Sequence, residues 1–356
     1  MTRRPGAAGD AGHRASRAAG DAGRRASRDG STTAGAGFGG LARGGPLRCA
    51  VAMTDPLAPV PSVADVARVR GVASRADAPP DLLLEVPHGA TRAAHFDALR
   101  AALVGAYPAD LRDFFFVNTD VGAPELAQRI AERFVAADPT RNAVIVRCLV
   151  PRTFVDCNRV VPPDAVGAPS RPGQMTPGLM PWVKDDADRR LLLARHAAYA
   201  ALVARAADAT LARGGRALMV HTYAPRSVDV AVDDRIVASL HEAYRPEVVE
   251  RWPLRAPVDL ITKTPDGAFL ADEGLVARVR AGLASAGVAV AENEAYGLHP
   301  STAAAALAAR FPGTTLCFEV RRDLLVRRFT PFLEMATDPD AVDRLAAPFA
   351  AALAAG

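Results

Sequence analysis

The sequence predicts an α/β protein in which a sheet is covered by helices on both faces. Short apolar runs recur between Leu82 and Val320, stretches of helical periodicity lie between them, and Gly, Pro and capping residues mark the joins. Strands that alternate with helices in this way build a sheet with helices on either side.

Residues 1–52 stand apart from that pattern. They are rich in Gly, Ala and Arg and nearly devoid of large apolar side chains, and Gly9–Arg17 returns almost residue for residue at Gly20–Arg28. Such a segment cannot offset the entropy of ordering and is expected to be a disordered tail. Nine arginines against three aspartates give it +6, so the chain's formal +4 leaves −2 for the remainder. The basic pI therefore belongs to the tail, and nucleic-acid binding has only this charge behind it. Ordinary composition begins at Met53, which is expected to be the true start, with residues 53–356 forming one α/β domain.

Leu82–Val86 reads as a buried strand, halted by Pro87 and turned at Gly89, so that His88 stands at its C-terminal tip. In open α/β sheets ligands collect at that edge. Ala94–Val104 is helical. Phe114–Val117 is a further short apolar run of the strand kind, ending in Asn118-Thr119-Asp120. Pro124 suits the first position of a helix that runs to Val135. Ala143–Val150 is β-rich and leads into Phe154–Arg159, after which residues 160–182 form a long Pro- and Gly-dense loop. A helix from Asp185 to Arg213 ends at Gly214-Gly215. Ala217–Val220 is the next strand, and His221 closes it. There follow a helix over Asp234–Arg251, a strand at Val258–Ile261, a helix at Asp272–Ala286 and a strand at Val288–Ala291. A helix at Thr302–Arg310, a strand at Thr314–Val320 and a closing helix at Asp340–Ala354 complete the chain.

No apolar run approaches the roughly 20 residues of a membrane-spanning helix, and Arg3-Arg4 are not followed by the apolar stretch of an export signal. The four cysteines are scattered without a CxxC pair, which suits a reducing cytoplasm.

Each of His88, Asp120, His221 and Glu319 follows a short apolar run, so one sheet edge can gather them. Two histidines and a carboxylate with the fourth position left to water make a catalytic zinc site, and a further carboxylate can serve as general base. Period-two alternation puts Cys317, Glu319 and Arg321 on one face, which aims Arg321 into the same pocket. Asn158 and Arg159 can grip a carboxylate, for which the guanidinium fork is shaped. Plainer readings stand beside these. Asp120 precedes a helix and can serve as a cap. Glu319 and Arg321 can form a structural ion pair. His196 and His241 lie in helical patterns as packing residues, and Tyr296 and His299 belong to a loop. Cys157 and Cys317 lack the His and Asn or Asp partners of a thiol nucleophile.

The motifs Pro87-His88-Gly89, Asn118-Thr119-Asp120, Val155-Asp156-Cys157-Asn158-Arg159, His221-Thr222-Tyr223 and Phe318-Glu319-Val320-Arg321 follow the order seen in the N-formylglutamate amidohydrolases. The loop Gly173–Leu179 also resembles one in that family, and the resemblance spans Leu82 to Leu325. It implies a three-layer α/β fold with a mixed sheet, like that of the zinc carboxypeptidases (phosphorylase/hydrolase-like). It implies zinc on His88 and His221, Glu319 as general base, and Asn158, Arg159 and Arg152 on the substrate carboxylate. Carboxypeptidases take their second ligand three residues after the first histidine, where this chain has Thr91; Asp120 is the substitute, with Glu125 and Glu85 behind it. The expected protein is a zinc-dependent amidohydrolase that takes an N-acyl group, formyl for instance, from an acidic amino acid such as glutamate; its substrate is a small-molecule N-acyl amino acid. Its rivals are a metallocarboxypeptidase or other N-acyl amino acid hydrolase, and a metal-free binding protein of the same fold.

Overall fold

The computed structural model describes residues 55–356. The expectations for residues 1–52 fall outside the described residues. A seven-stranded mixed sheet runs through the protein in the order β1-β3-β2-β4-β7-β5-β6. Its strands are β1 (Ala64–Arg70), β2 (Leu82–Val86), β3 (Asn142–Cys148), β4 (Arg216–Tyr223), β5 (Val258–Ile261), β6 (Val290–Glu292) and β7 (Thr315–Arg321). β3, β2, β4 and β7 are mutually parallel, while β1 and β5 pair antiparallel with their neighbours β3 and β7.

The central strands are buried on both faces, as parallel strands between helical layers must be. In β2 every residue is buried, and alternation divides the strand between two cores. Leu82 and Leu84 pack with α3 (Ala123–Ala137), α7 (Glu273–Ser285) and α9 (Pro339–Ala354). Leu83 faces the opposite layer, with α1 (Ala93–Ala101), α2 (Leu111–Asn118), α4 (Asp186–Thr210) and α8 (Ala303–Arg310). α5 (Ile236–Ala243) joins that second layer. No described helix is long and apolar enough to cross a membrane.

Local chemistry sets the helix ends. Asp185 accepts from the N–H groups of Ala187 and Asp188 to start α4, and Asp272 and Thr302 cap α7 and α8 in the same way. Beyond a short 3₁₀ turn, Gly214 takes a left-handed φ of 85° and stops the long helix.

Three elements differ from expectation. The run Phe114–Val117 lies inside helix α2, because Phe114, Phe115 and Phe116 are all buried around one helical turn. The helix expected over Asp234–Arg251 divides into α5 and α6 (Pro246–Val249), with Pro246 opening the second piece. β1 has no counterpart in the sequence reading. It is an edge strand whose charged residues lie largely exposed, so it lacks the apolar run that marks the central strands.

Candidate metal centre and cleft

β2 lies between β3 and β4, so the chain leaves β2 toward one neighbour and returns on the other side. Such a reversal opens a crevice at the C-terminal strand ends. His88 stands two residues beyond β2, and His221 lies near the end of β4. Glu319 of β7 is directly opposite His221 in the parallel register, so both side chains share one face.

The turn that presents His88 is tight. The N–H of Gly89 donates to the Val86 carbonyl at 3.2 Å, and a Cβ at Gly89 would meet Arg147 Cγ at 2.5 Å and the Cys148 carbonyl at 3.0 Å. Only glycine fits there. Asp120 follows α2 rather than a strand, and the Thr119 hydroxyl ties this segment to the Ala90 carbonyl at 2.6 Å. The Asp120 carboxylate caps no helix. Its Oδ2 lies 3.1 Å from His88 Nδ1 and 3.2 Å from His221 Nδ1 and accepts from the Thr222 N–H at 3.3 Å, while its Oδ1 accepts from Arg322 at 3.2 Å.

His88, Asp120 and His221 are buried and offer ligand atoms within 4.8 Å of one another, so the three can hold a metal ion. The Asp120 oxygen stands 3.1 and 3.2 Å from the two ring nitrogens, near the roughly 3.3 Å kept by donors about 2.0–2.1 Å from one tetrahedral ion. His88 Nε2 lies 2.8 Å from Asp156 Oδ1, an arrangement in which a carboxylate orients a ligating imidazole. His221 Nε2 and Glu319 Oε2 are buried polar atoms without partners among the described residues. Such atoms ordinarily have a partner, which marks this as a place for an ion, water or substrate. Glu85 and Glu125, the other candidate ligands, are not part of that group: Glu85 feels the charge of His221 and His88 but accepts from the Tyr199 hydroxyl, and Glu125 accepts from Arg92.

Charge is unevenly distributed here. Burial alone would raise the Asp120 carboxyl, but His88, His221 and Arg322 outweigh it and hold the group well below the usual range. Burial would likewise raise Asp156, and Arg152, His88 and Arg159 bring it well below. Glu319 goes the other way. Burial pushes it up to about 7, since the opposing pull of His221, Arg255 and Arg322 is incomplete and Asp120 adds to the rise. A carboxyl so poised can exchange a proton near neutrality.

The centre opens into a cleft of about 1100 Å³. Arg152, Asn158 and Arg159 line it, as do His88, Asp120, His221 and Glu319. Arg159 donates from Nε to the Thr176 carbonyl at 3.0 Å and from Nη1 to the Asn158 carbonyl at 3.2 Å, so the long loop fixes its direction. Asn158 Oδ1 accepts from the Ala304 N–H at the start of α8. Arg152 bridges toward Asp156 at 3.1 Å.

Arg321 does not line the cleft, contrary to the alternation argument. Its Nε donates to Asp323 at 2.9 Å and its Nη1 to the Arg255 carbonyl at 2.9 Å. The strand ends there, a 3₁₀ turn begins at Arg322, and Arg322 turns to the cleft instead. Tyr296 and His299, read as loop residues, both line the cleft. His196 is buried and meets the Arg159 carbonyl at 2.8 Å, whereas His241 is exposed, stacks on Phe332 and pairs with Asp113. Burial pushes the Cys317 thiol well up, which leaves it a poor nucleophile.

Two residues of the centre escaped the sequence reading. Asp156 lay inside a quoted motif, but its role depends on His88, 68 residues away. Arg322 lay one position past the end of the alternation.

A family model described as N-formylglutamate amidohydrolase matches residues 81–326. Among solved structures, an N-formylglutamate amidohydrolase from Ralstonia eutropha is 17% identical with a TM-score of 0.50, covering 83% of this chain and 96% of its own. A gene product from Agrobacterium tumefaciens is 18% identical with a TM-score of 0.45, covering 81% of this chain and 92% of its own. None of the curated proteins compared with the chain matches it.

Proposed function

The chain belongs to the N-formylglutamate amidohydrolase family and is by that membership a hydrolase of amide bonds, and from this premise we propose that it is a zinc-dependent enzyme that removes an N-acyl group, formyl in the simplest case, from an acidic amino acid such as glutamate. The observation that carries the reading is the meeting of His88, Asp120 and His221 beside a buried Glu319 on the neighbouring strand.

His88, Asp120 and His221 would hold the ion. Zinc, when bound there, supplies Lewis acidity and makes a water nucleophile available at a pKa of about 7. Asp156 fixes the His88 ring by accepting from Nε2, and Arg322 braces the Asp120 carboxylate from the other side. Glu319 accepts the proton of the attacking water and passes it to the leaving amine, which would otherwise depart as a poor anion. Arg159, with Asn158 and Arg152, binds the substrate carboxylate and fixes the acyl carbon in place. The small-molecule substrate enters from the cleft. The buried free thiols of Cys148, Cys157 and Cys317 accord with a cytoplasmic setting.

The test pairs elemental analysis of the purified protein with a panel of N-acyl amino acids. One zinc per chain and turnover of N-formylglutamate are expected. A protein without metal that binds the panel but hydrolyses none of it is the binding-protein alternative, and preference for larger acyl groups or peptides is the carboxypeptidase-like one.

A further inference from the structure

Five arginines line the cleft: Arg152, Arg159, Arg226, Arg255 and Arg322. Arg152 and Arg159 have Asp156 within 4 Å, Arg322 has Asp120, and Arg226 pairs with Glu250. Arg255 has no carboxylate partner among the described residues. Its hydrogen-bonding and stacking partners are all neutral, and Glu319, a carboxyl it acts on, makes no ion pair with it. Nε donates to the Ser227 hydroxyl at 3.0 Å and Nη2 to the Tyr296 hydroxyl at 3.1 Å. The guanidinium carbon sits 5.0 Å from the centre of the Tyr223 ring and 5.4 Å from that of Tyr296. These contacts direct the group without neutralising it.

The backbone beneath it is pinned as well. The Arg255 N–H donates to the Pro225 carbonyl at 2.9 Å, and the Arg255 carbonyl accepts from Arg321 at 2.9 Å. The Tyr223 hydroxyl donates to the Ala256 carbonyl at 2.6 Å, and the Arg321 N–H to the Pro257 carbonyl at 3.0 Å. Tyr223 is two residues beyond His221 on β4, hence on the same face of the sheet as the centre. Arg255 is thus a preorganised cation on the wall of the cleft, without an ion-pair partner among the described residues.

Resting on the amidohydrolase reading above, we propose that Arg255 is a second carboxylate anchor, the residue by which the cleft tells an acidic side chain from its amide. Arg159 takes one carboxylate from the loop after β3, and Arg255 takes the other from the loop before β5. Arg321 then serves as a positioning residue for Arg255. A substrate whose second carboxylate is missing leaves Arg255 without its anion, and a polar site rejects an analogue that cannot pair with it. A cation acting only through the charge of Glu319 would instead affect every substrate alike.

The experiment compares N-formyl-L-glutamate with its near-isostere N-formyl-L-glutamine on wild type, Arg255→Gln and Arg255→Lys. It also measures calorimetric binding of glutarate and of glutaric acid monoamide to wild type and Arg255→Gln. Wild type should prefer the glutamate substrate, and Arg255→Gln should lose on the order of 10–100-fold in kcat/KM on it, chiefly through KM, as loss of a charged hydrogen bond predicts. Turnover of the glutamine substrate, which feels Arg255 only through its pull on Glu319, should fall much less, and Arg255→Lys should recover part of the loss. Glutarate should bind wild type more tightly than its monoamide, and that difference should vanish in Arg255→Gln. Equal losses on both substrates, or no wild-type preference for glutarate, overturn the proposal, and the wild-type comparison needs no folded variant. A protein that hydrolyses neither substrate overturns the amidohydrolase reading instead, while the glutarate comparison still decides the role of Arg255.

Discussion

Glu319 and Asp156 are both buried carboxylates within reach of a histidine, yet their surroundings push them in opposite directions. Asp156 has two arginines and an imidazole around it and stays charged, so its work is to hold His88. Glu319 keeps an oxygen without a partner, which leaves it available for a transferred proton. The two should therefore fail differently. Glu319→Gln preserves shape and should leave metal content and KM nearly unchanged while kcat falls on the order of 10²–10⁴-fold. Near wild-type kcat in that variant would make Glu319 structural. Asp156→Asn should instead weaken metal affinity by about 10–100-fold, since it removes the carboxylate that orients a ligand. Competition with a chelator measures this directly, and unchanged affinity would show that His88 needs no such partner.

At the scale of elements, the turn after β2 is the joint on which the centre hangs. Gly89→Ala would put a Cβ 3.0 Å from the Cys148 carbonyl and 3.1 Å from that of Val86, so backbone has to shift and His88 with it. The expected outcome is weaker metal binding together with a lowered Tm; a variant that keeps both values would mean that the turn has slack. This joint was legible in the sequence, because an apolar run stopped by Pro87 and relieved by Gly89 describes it fully. So were β5, whose bounds the sequence reading matched, and the end of the long helix at Gly214. Other features were legible only in part. Phe114–Val117 is too short for periodicity to separate strand from helix, and three consecutive buried phenylalanines blurred the helical stripe. β1 carries charges on an exposed edge and owes its place to pairing with β3, a partner more than seventy residues away in sequence. Asp120 does lie beside His88 and His221, but the supposed strand before it is a helix. Arg321 is the last residue of β7, but its guanidinium is taken up by Asp323 and the Arg255 carbonyl, and Arg322, one residue past the strand, reaches the cleft in its place.

The molecule as a whole separates stability from chemistry by layers. Among the described residues, the core packed between the sheet and α3, α7 and α9 contributes none to the cleft lining, whereas the opposite core contributes Phe114, Ile236, Leu240 and Cys317 to it. β7 shows the division within one strand: Glu319 faces the centre, and its neighbour Phe318 points into the other core. There Phe318 stacks on Phe349 of α9 with ring centres 4.2 Å apart. Phe349 is fully buried, so Phe349→Ala leaves a cavity and should cost about 3–5 kcal/mol of stability. Denaturant unfolding would read that loss as a lower midpoint at unchanged slope. Below the unfolding transition the same variant should keep its metal and its KM, because the sheet stands between the cavity and the cleft. Leu240→Ala, a truncation in the layer that lines the cleft, should by contrast move stability and KM together. If Phe349→Ala shifts KM as far as Leu240→Ala does, the sheet transmits packing changes from one layer to the other, and the centre depends on both cores.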